Sequence, residues 1–262
     1  MFHVSKVFGC EKNEKGKYET MQTNHTVLEK LLIKNKLHFN KVVDFDSHKD
    51  RLLLMDFTAN NTILTSEIIE DTEKFCSYIN QQLTHANALY GIGGYNENRT
   101  IYARSEVFGA TVETLSTIDT NEPRRLHLGV DIWGKAGTKI FAPLGGTVHS
   151  FAFNDIYGDY GATIILQHQL EGYAFHTLYG HLSLADIAHL QEGKFISQGE
   201  LLAHFGEPDE NGHWPPHLHF QIINDMELMV GDYPGVCKLS EKEKYINNCP
   251  NPDYILQLMQ FA

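Results

Sequence analysis

Two segments of alternating character, 90 positions apart in a chain of 262 residues, constrain its fold more than any other feature. In His127-Leu128-Gly129-Val130-Asp131, the apolar Leu128, Val130 and Ile132 alternate with His127, Gly129 and Asp131. In His217-Leu218-His219, Leu218, Phe220 and Ile222 alternate with His217, His219 and Gln221. A period of two belongs to a strand and sends the two sets to opposite faces. His127 and Asp131 are therefore expected to face the same way, with no side chain at Gly129 between them. His217 and His219 are expected to do likewise, and Pro215-Pro216 before them argues against a helix.

Two imidazoles and a carboxylate suit zinc, which takes nitrogen and oxygen donors in a four-coordinate shell. Three protein donors leave one position open, as in catalytic rather than structural sites. Neither short motif is specific alone, and the spacing does not say which histidine of His217-Leu218-His219 is the ligand. Together, with Tyr179-Gly180-His181-Leu182 between them, they carry more weight. HLGVD, YGHL and PHLHF (Pro216 to Phe220) resemble the signature of the lysostaphin-type (LytM-like) zinc metallopeptidases. The likeness continues through APLGGTV (Ala142 to Val148), GDYGATIILQH (Gly158 to His168) and EGKFISQGELLAHFG (Glu192 to Gly206), and spans roughly 120 to 224.

The resemblance implies an antiparallel β-sandwich or barrel-like catalytic domain and one Zn2+ per chain. Its ligands would be His127, Asp131 and His219, since in this family the second His of the H-x-H binds the metal. The two remaining histidines, His181 and His217, would lie beside the ion as base and transition-state stabiliser, and imidazole titrates near the working pH. The substrate would be a peptide crossbridge or stem peptide of peptidoglycan, or a fragment of it. The chain departs from the family before the H-x-H, where EPDENGHWPP (Glu207 to Pro216) replaces a small Gly/Ser/Thr-rich stretch. That loop carries His213 and Trp214, and the loop from Asn154 to Gly161 carries Tyr157 and Tyr160. Loops on a β scaffold are where substrate contacts are placed, so these four are candidate substrate-binding residues.

Composition bounds the partners. A hydrophobic content of 42% with 21% charged residues is that of a globular protein, and no apolar run is long enough to span a bilayer. The formal charge of −12 steers the chain away from nucleic acid and anionic polymers. The first 25 residues lack an apolar h-region and a cleavage site, which leads to the expectation of a cytoplasmic location. Cys10, Cys76, Cys237 and Cys249 form no C-x2-C pair, so free thiols are expected rather than a cysteine zinc site. Oligomeric state is not legible.

The expected class is mainly β with an α+β addition. Residues 1–95 read as an N-terminal α/β region, 96–230 as the LytM-like domain, and 231–262 as a tail packed on it. In the first region, Val42-Val43 with Phe45 and the run Leu52 to Phe57 read as strands, and Thr65 to Ala88 as one helix. Tyr90 to Arg99 reads as a glycine-rich turn, with a place on the border of the cleft as the alternative reading. Further strands are expected over 138–142, 146–153, 161–168, 173–180, 200–205 and 217–223. A short helix over Ser183 to Leu190 is expected to start on a Ser183–Asp186 capping box. His149, His168, His189 and His204 read as structural or exposed, His176 as facing away from His181, and Tyr179 as core. Two other functions fit the residues: a non-catalytic LytM-like regulatory or binding module, and a cytosolic zinc amide hydrolase acting on a non-wall substrate.

Overall fold

The structure, a computed structural model, describes residues 25–109 and 122–262. The start of the expected N-terminal region, with Cys10, lies outside the described residues. One eight-stranded mixed sheet dominates, in an α+β arrangement with no closed barrel among the described residues. Its strands are β1 (Leu52–Met55), β2 (Tyr90–Gly93), β4 (Val130–Trp133), β6 (Gly146–Asn154), β7 (Gly161–Leu170), β8 (Tyr173–Leu182), β9 (Phe195–Ile196) and β11 (His217–Ile223). They lie in the order β1-β2-β4-β11-β8-β7-β6-β9. Only β1 and β2 pair in parallel. Two smaller ladders join β5 (Lys139–Phe141) to β10 (Leu201–His204), and β3 (Leu126–His127) to β12 (Val236–Cys237).

The long central strands match the expected ones closely because their alternation is strong and both faces are covered. On one face Leu218, Phe220 and Ile222 join Val130, Ile132, Ile164 and Tyr179 in the largest core. On the other, Ile165, Leu178 and Ile223 pack against Leu126, Leu128, Tyr233 and the buried thiols Cys237 and Cys249. Both thiols are free, as is Cys76. Helix α1 (Val27–Asn35) opens on a Thr26–Glu29 capping box and buries Leu28 and Leu32 in the first core. Among the described residues, no helix is long and apolar enough to cross a membrane.

Several expectations are corrected. Val42 and Val43 are buried but form no strand; Val42 instead accepts a bond from the Phe141 N–H. The single helix expected from Thr65 to Ala88 is two, α2 (Ser66–Glu70) and α3 (Thr72–Ala86). Asp71 breaks it because its side chain accepts the Lys74 N–H and caps α3 instead of continuing α2. The glycine-rich Tyr90 to Gly93 is a strand between β1 and β4, not a turn. The capping box at Ser183 is not made: α4 (Leu184–Ile187) has no side-chain cap, and Asp186 accepts the N–H of His204. The tail supplies β12, then α5 (Lys242–Asn248) and α6 (Asp253–Leu256).

His168 lies buried in β7, where Gly145 O accepts from its Nδ1 at 3.0 Å and the Thr177 hydroxyl sits 2.7 Å from Nε2. Burial pushes its pKa down to about 4. Below its ordinary value near 6.5 the unfolded chain takes up a proton that the folded chain refuses, so stability falls with pH until about 4. Between those limits the wild type should lose on the order of 3 kcal/mol that a His168→Gln variant keeps. Denaturant titrations of both proteins across this range measure the difference; parallel profiles would refute it.

Candidate metal centre and cleft

The segment His127 to Asp131 is not one continuous strand. The chain leaves the β3–β12 ladder at His127 and enters the main sheet at Val130, so Leu128 and Val130 go to different cores. Gly129 makes the turn fit, because a Cβ there would lie 2.5 Å from Cε1 of His219 and 2.9 Å from Phe220 O. Pairing of β4 with β11 then sets Asp131 opposite His219.

Three donor atoms meet at this point. His127 Nε2 and His219 Nδ1 are 3.0 Å apart, and Asp131 Oδ1 lies 3.2 Å from the first and 3.0 Å from the second. His127, Asp131 and His219 are the described residues that could jointly hold a metal ion. The tautomers follow from the outer partners. Gly94 O, which only accepts, faces His127 Nδ1 at 3.1 Å, so that nitrogen carries the proton and Nε2 carries a lone pair. Gln221 Oε1 accepts a hydrogen bond from the Nε2–H of His219 at 2.9 Å, while the Gln221 amide donates to Pro234 O and Cys249 Sγ. Arg99 Nη1 donates to Asp131 Oδ2 and leaves Oδ1 inward. Three lone pairs thus face one another at hydrogen-bond range with no proton among them. A tetrahedral ion with bonds of about 2.0–2.2 Å would separate its ligands by roughly 3.3–3.6 Å, close to what is found.

The electrostatics agree. Burial and the Arg99 charge push His127 down to about 3, which keeps it a neutral donor. Burial alone would raise the Asp131 carboxyl, but His127, Arg99 and the hydrogen bonds outweigh it and hold the pKa well below the usual range. Arg99 is fully buried, and its Nε also donates to Glu97 at 2.6 Å.

His181 and His217 stand beside this cluster with ring centroids 4.0 Å apart. Alternation along β8 would put His181 on the core face with Tyr179. The register against β7 shifts between Ala162 and Ile164, and His181 adopts φ +62°, which turns its ring toward His217. Such a bulge re-aims a side chain at the cost of local strain. Asn211 O accepts from His181 Nδ1 at 2.8 Å, and Pro215 O from His217 Nδ1 at 2.8 Å, so both rings keep a free Nε2 lone pair. Burial lowers His217 to about 4; burial and then the neighbouring His217 push His181 well below its ordinary value. Trp133, opposite His217 in the β4–β11 ladder, stacks on its ring at 3.8 Å and 13°.

A cavity of about 120 Å³ runs over His181, His217, His219 and Asp131, with Trp133, Tyr160 and Trp214 in its walls and Phe108 across it. Of the four candidate substrate-binding residues, Tyr160 and Trp214 line this cavity. Tyr157 and His213 do not; their rings stack on each other at 5.4 Å, and Arg104 donates to Tyr157 Oη and His213 O. His176 faces His149 at 5.0 Å, away from the cluster. Gly94, Arg99, Trp133 and Gln221 were not expected from the sequence. Only the glycine-rich Tyr90–Arg99 stretch carried a signal for any of them.

Residues 125–229 match the model of peptidase family M23. The match covers about two fifths of the chain and holds His127, Asp131, His181, His217 and His219, so this stretch is similar to peptidase family M23. Among solved structures, the lysostaphin catalytic domain of Staphylococcus simulans is similar at 23% identity over 46% of this chain and 80% of that one, with a TM-score of 0.32. A Pseudomonas aeruginosa chain crystallised as a candidate M23 peptidase matches at 19% over 50% of this chain and 43% of that one, with a TM-score of 0.33. A zinc-containing peptidase of Vibrio cholerae matches at 23% over 39% and 28%, with a TM-score of 0.30. The chain thus spans less than half of the Pseudomonas and Vibrio proteins. No curated protein matches the chain.

Proposed function

We propose that the chain is a zinc metalloendopeptidase acting on peptide bonds of peptidoglycan crossbridges or stem peptides, or of fragments released from them. The observation that carries this reading is the meeting of three proton-free donor atoms at 3.0–3.2 Å beside two further imidazoles. His127 Nε2, Asp131 Oδ1 and His219 Nδ1 would hold the ion. When bound, zinc supplies Lewis acidity, which polarises an amide carbonyl and acidifies water. The free Nε2 atoms of His181 and His217 are placed to accept a proton and to return it to the leaving amine. Their stacking at 4.0 Å makes a second proton on the pair unfavourable, so the two rings handle one proton at a time. Trp133 and the Pro215 and Asn211 carbonyls fix the rings in place.

The experiment is mass spectrometry of defined muropeptides incubated with the protein before and after chelation, with metal content read in parallel. One zinc per chain is expected, with cleavage lost on chelation and restored by zinc. Full cleavage by metal-free protein would sink the proposal. Cleavage confined to small γ-linked or D-amino-acid amides would move the substrate away from the wall.

A further inference from the structure

On the wall of the cleft, we propose that Arg124, Asp159 and Asp232 recognise an α-amino acid head group, an ammonium beside a carboxylate, carried by the peptide that the metal centre takes. That this ligand is part of a substrate rests on the peptidase reading. The three side chains line the same cavity of about 120 Å³ as Asp131, His181, His217 and His219. At about 10–15 Å³ for each water it can hold, a space of that size takes several water-sized groups, enough for such a head group. Arg124 and Asp159 are partly buried and Asp232 is exposed, so all three charges are open to a ligand.

Each charge is held in place by the protein yet paired with none. The Tyr160 N–H donates to Asp159 Oδ1 at 2.7 Å and leaves Oδ2 free to accept. The Arg124 guanidinium donates through Nη2 to Val107 O and lies 5.7 Å over the Phe108 ring, which keeps it at the cleft. Its backbone N–H also bonds Phe108 O at 2.8 Å. Among the described residues neither carboxylate is in an ion pair, and nor is Arg124. The charges still feel one another. Partial burial pushes both carboxyls above their ordinary value, and Arg124 acts the other way on both from beyond salt-bridge range. Opposite charges kept apart on one cavity are matched by a zwitterion. Its ammonium has three donors for the two carboxylates, and its carboxylate suits the fork of the guanidinium. A singly charged group would satisfy one end only. A few placed polar groups in a cleft fix the orientation of what enters it. Here they come from three segments, ahead of β3, β7 and β12.

The test follows the backbone amide NMR signals of Asp159 and Asp232 in the full zinc-loaded chain during titration with Nε-acetyl-lysine, whose α-amino and α-carboxylate groups are free. Saturable shifts are expected. Binding should be at least tenfold weaker for Nα,Nε-diacetyl-lysine, which lacks the ammonium, and for Nε-acetyl-lysinamide, which lacks the carboxylate. Asp232→Asn and Arg124→Gln should each weaken binding of the free head group at least tenfold, with zinc content unchanged. Equal binding of the three probes overturns the proposal, as does binding unchanged in both variants, which would put the head group on the metal. So does the absence of saturable shifts in the wild type, a measurement that needs no variant to fold. Muropeptide cleavage without head-group binding sinks this inference alone, whereas head-group binding without cleavage upholds the site and sinks the peptidase reading.

Discussion

Replacing either His181 or His217 by alanine should lower the rate of peptide hydrolysis by about 10²–10⁴-fold while leaving zinc content at one per chain. Neither ring belongs to the three-donor cluster: His181 is anchored through Asn211 O and His217 through Pro215 O. Removing one therefore takes away a proton carrier and a stacking partner but no ligand. The loss should appear in kcat more than in KM, because the missing group acts on the proton in transit and not on the resting substrate. Metal analysis together with kinetics on one muropeptide decides the matter. If either variant loses its zinc, that histidine is a ligand and the assignment of roles is wrong.

The second large effect is expected at Arg99. Its guanidinium, with no exposed surface, lies between Asp131 and Glu97 and is also within hydrogen-bonding reach of Gly94 O at 3.4 Å. In Arg99→Met the Asp131 carboxylate stays buried with its countercharge gone. Breaking a buried pair from one side costs about 3–5 kcal/mol. It also frees Oδ2 to compete with Oδ1 for the ion, and loss of such an outer partner weakens metal affinity by about 10–100-fold. Urea unfolding of chelated protein reads the first effect, and competition with a zinc-binding dye reads the second. A variant as stable as the wild type, with unaltered zinc affinity, would show that Arg99 does neither.

Alternation pointed to the polar face of the second segment, while the choice of His219 over His217 came from the family likeness and the continuous strand expected over His127 to Asp131 is not formed. His217 to Ile223 forms the expected strand, and its polar face carries both histidines. What supports those donors was not legible, because each supporting atom arrives from far along the chain. Gly94 O is a backbone group, and nothing in its sequence neighbourhood marks it as the partner of His127, 33 positions away. Arg99 reaches Asp131 across 32 positions. The Tyr90 to Gly93 stretch shows why the usual punctuation misled. Its glycines read as turn residues, yet Gly91 and Gly93 lie inside a sheet where Met55 and Arg99 occupy the space of a Cβ. Glycine there marks a close approach, which a single sequence cannot tell from a bend. The position of His181 is the opposite case. Alternation alone would bury its ring in the core, and the bulge that rescues it leaves no local trace beyond the YGHL likeness.

The second strand, Tyr90–Gly93, has a practical consequence. It covers the edge of the strand that bears Asp131, and the residues just after it supply the carbonyl and the guanidinium that orient two donors. A protein trimmed to 125–229, the stretch that bears the family likeness, would keep every histidine of the centre and Asp131. It would lose those braces and, at its other end, the Val236–Cys237 strand that pairs with His127. The smallest stretch that keeps this site braced is therefore wider than its family likeness, and expression boundaries drawn from likeness alone would cut through its frame.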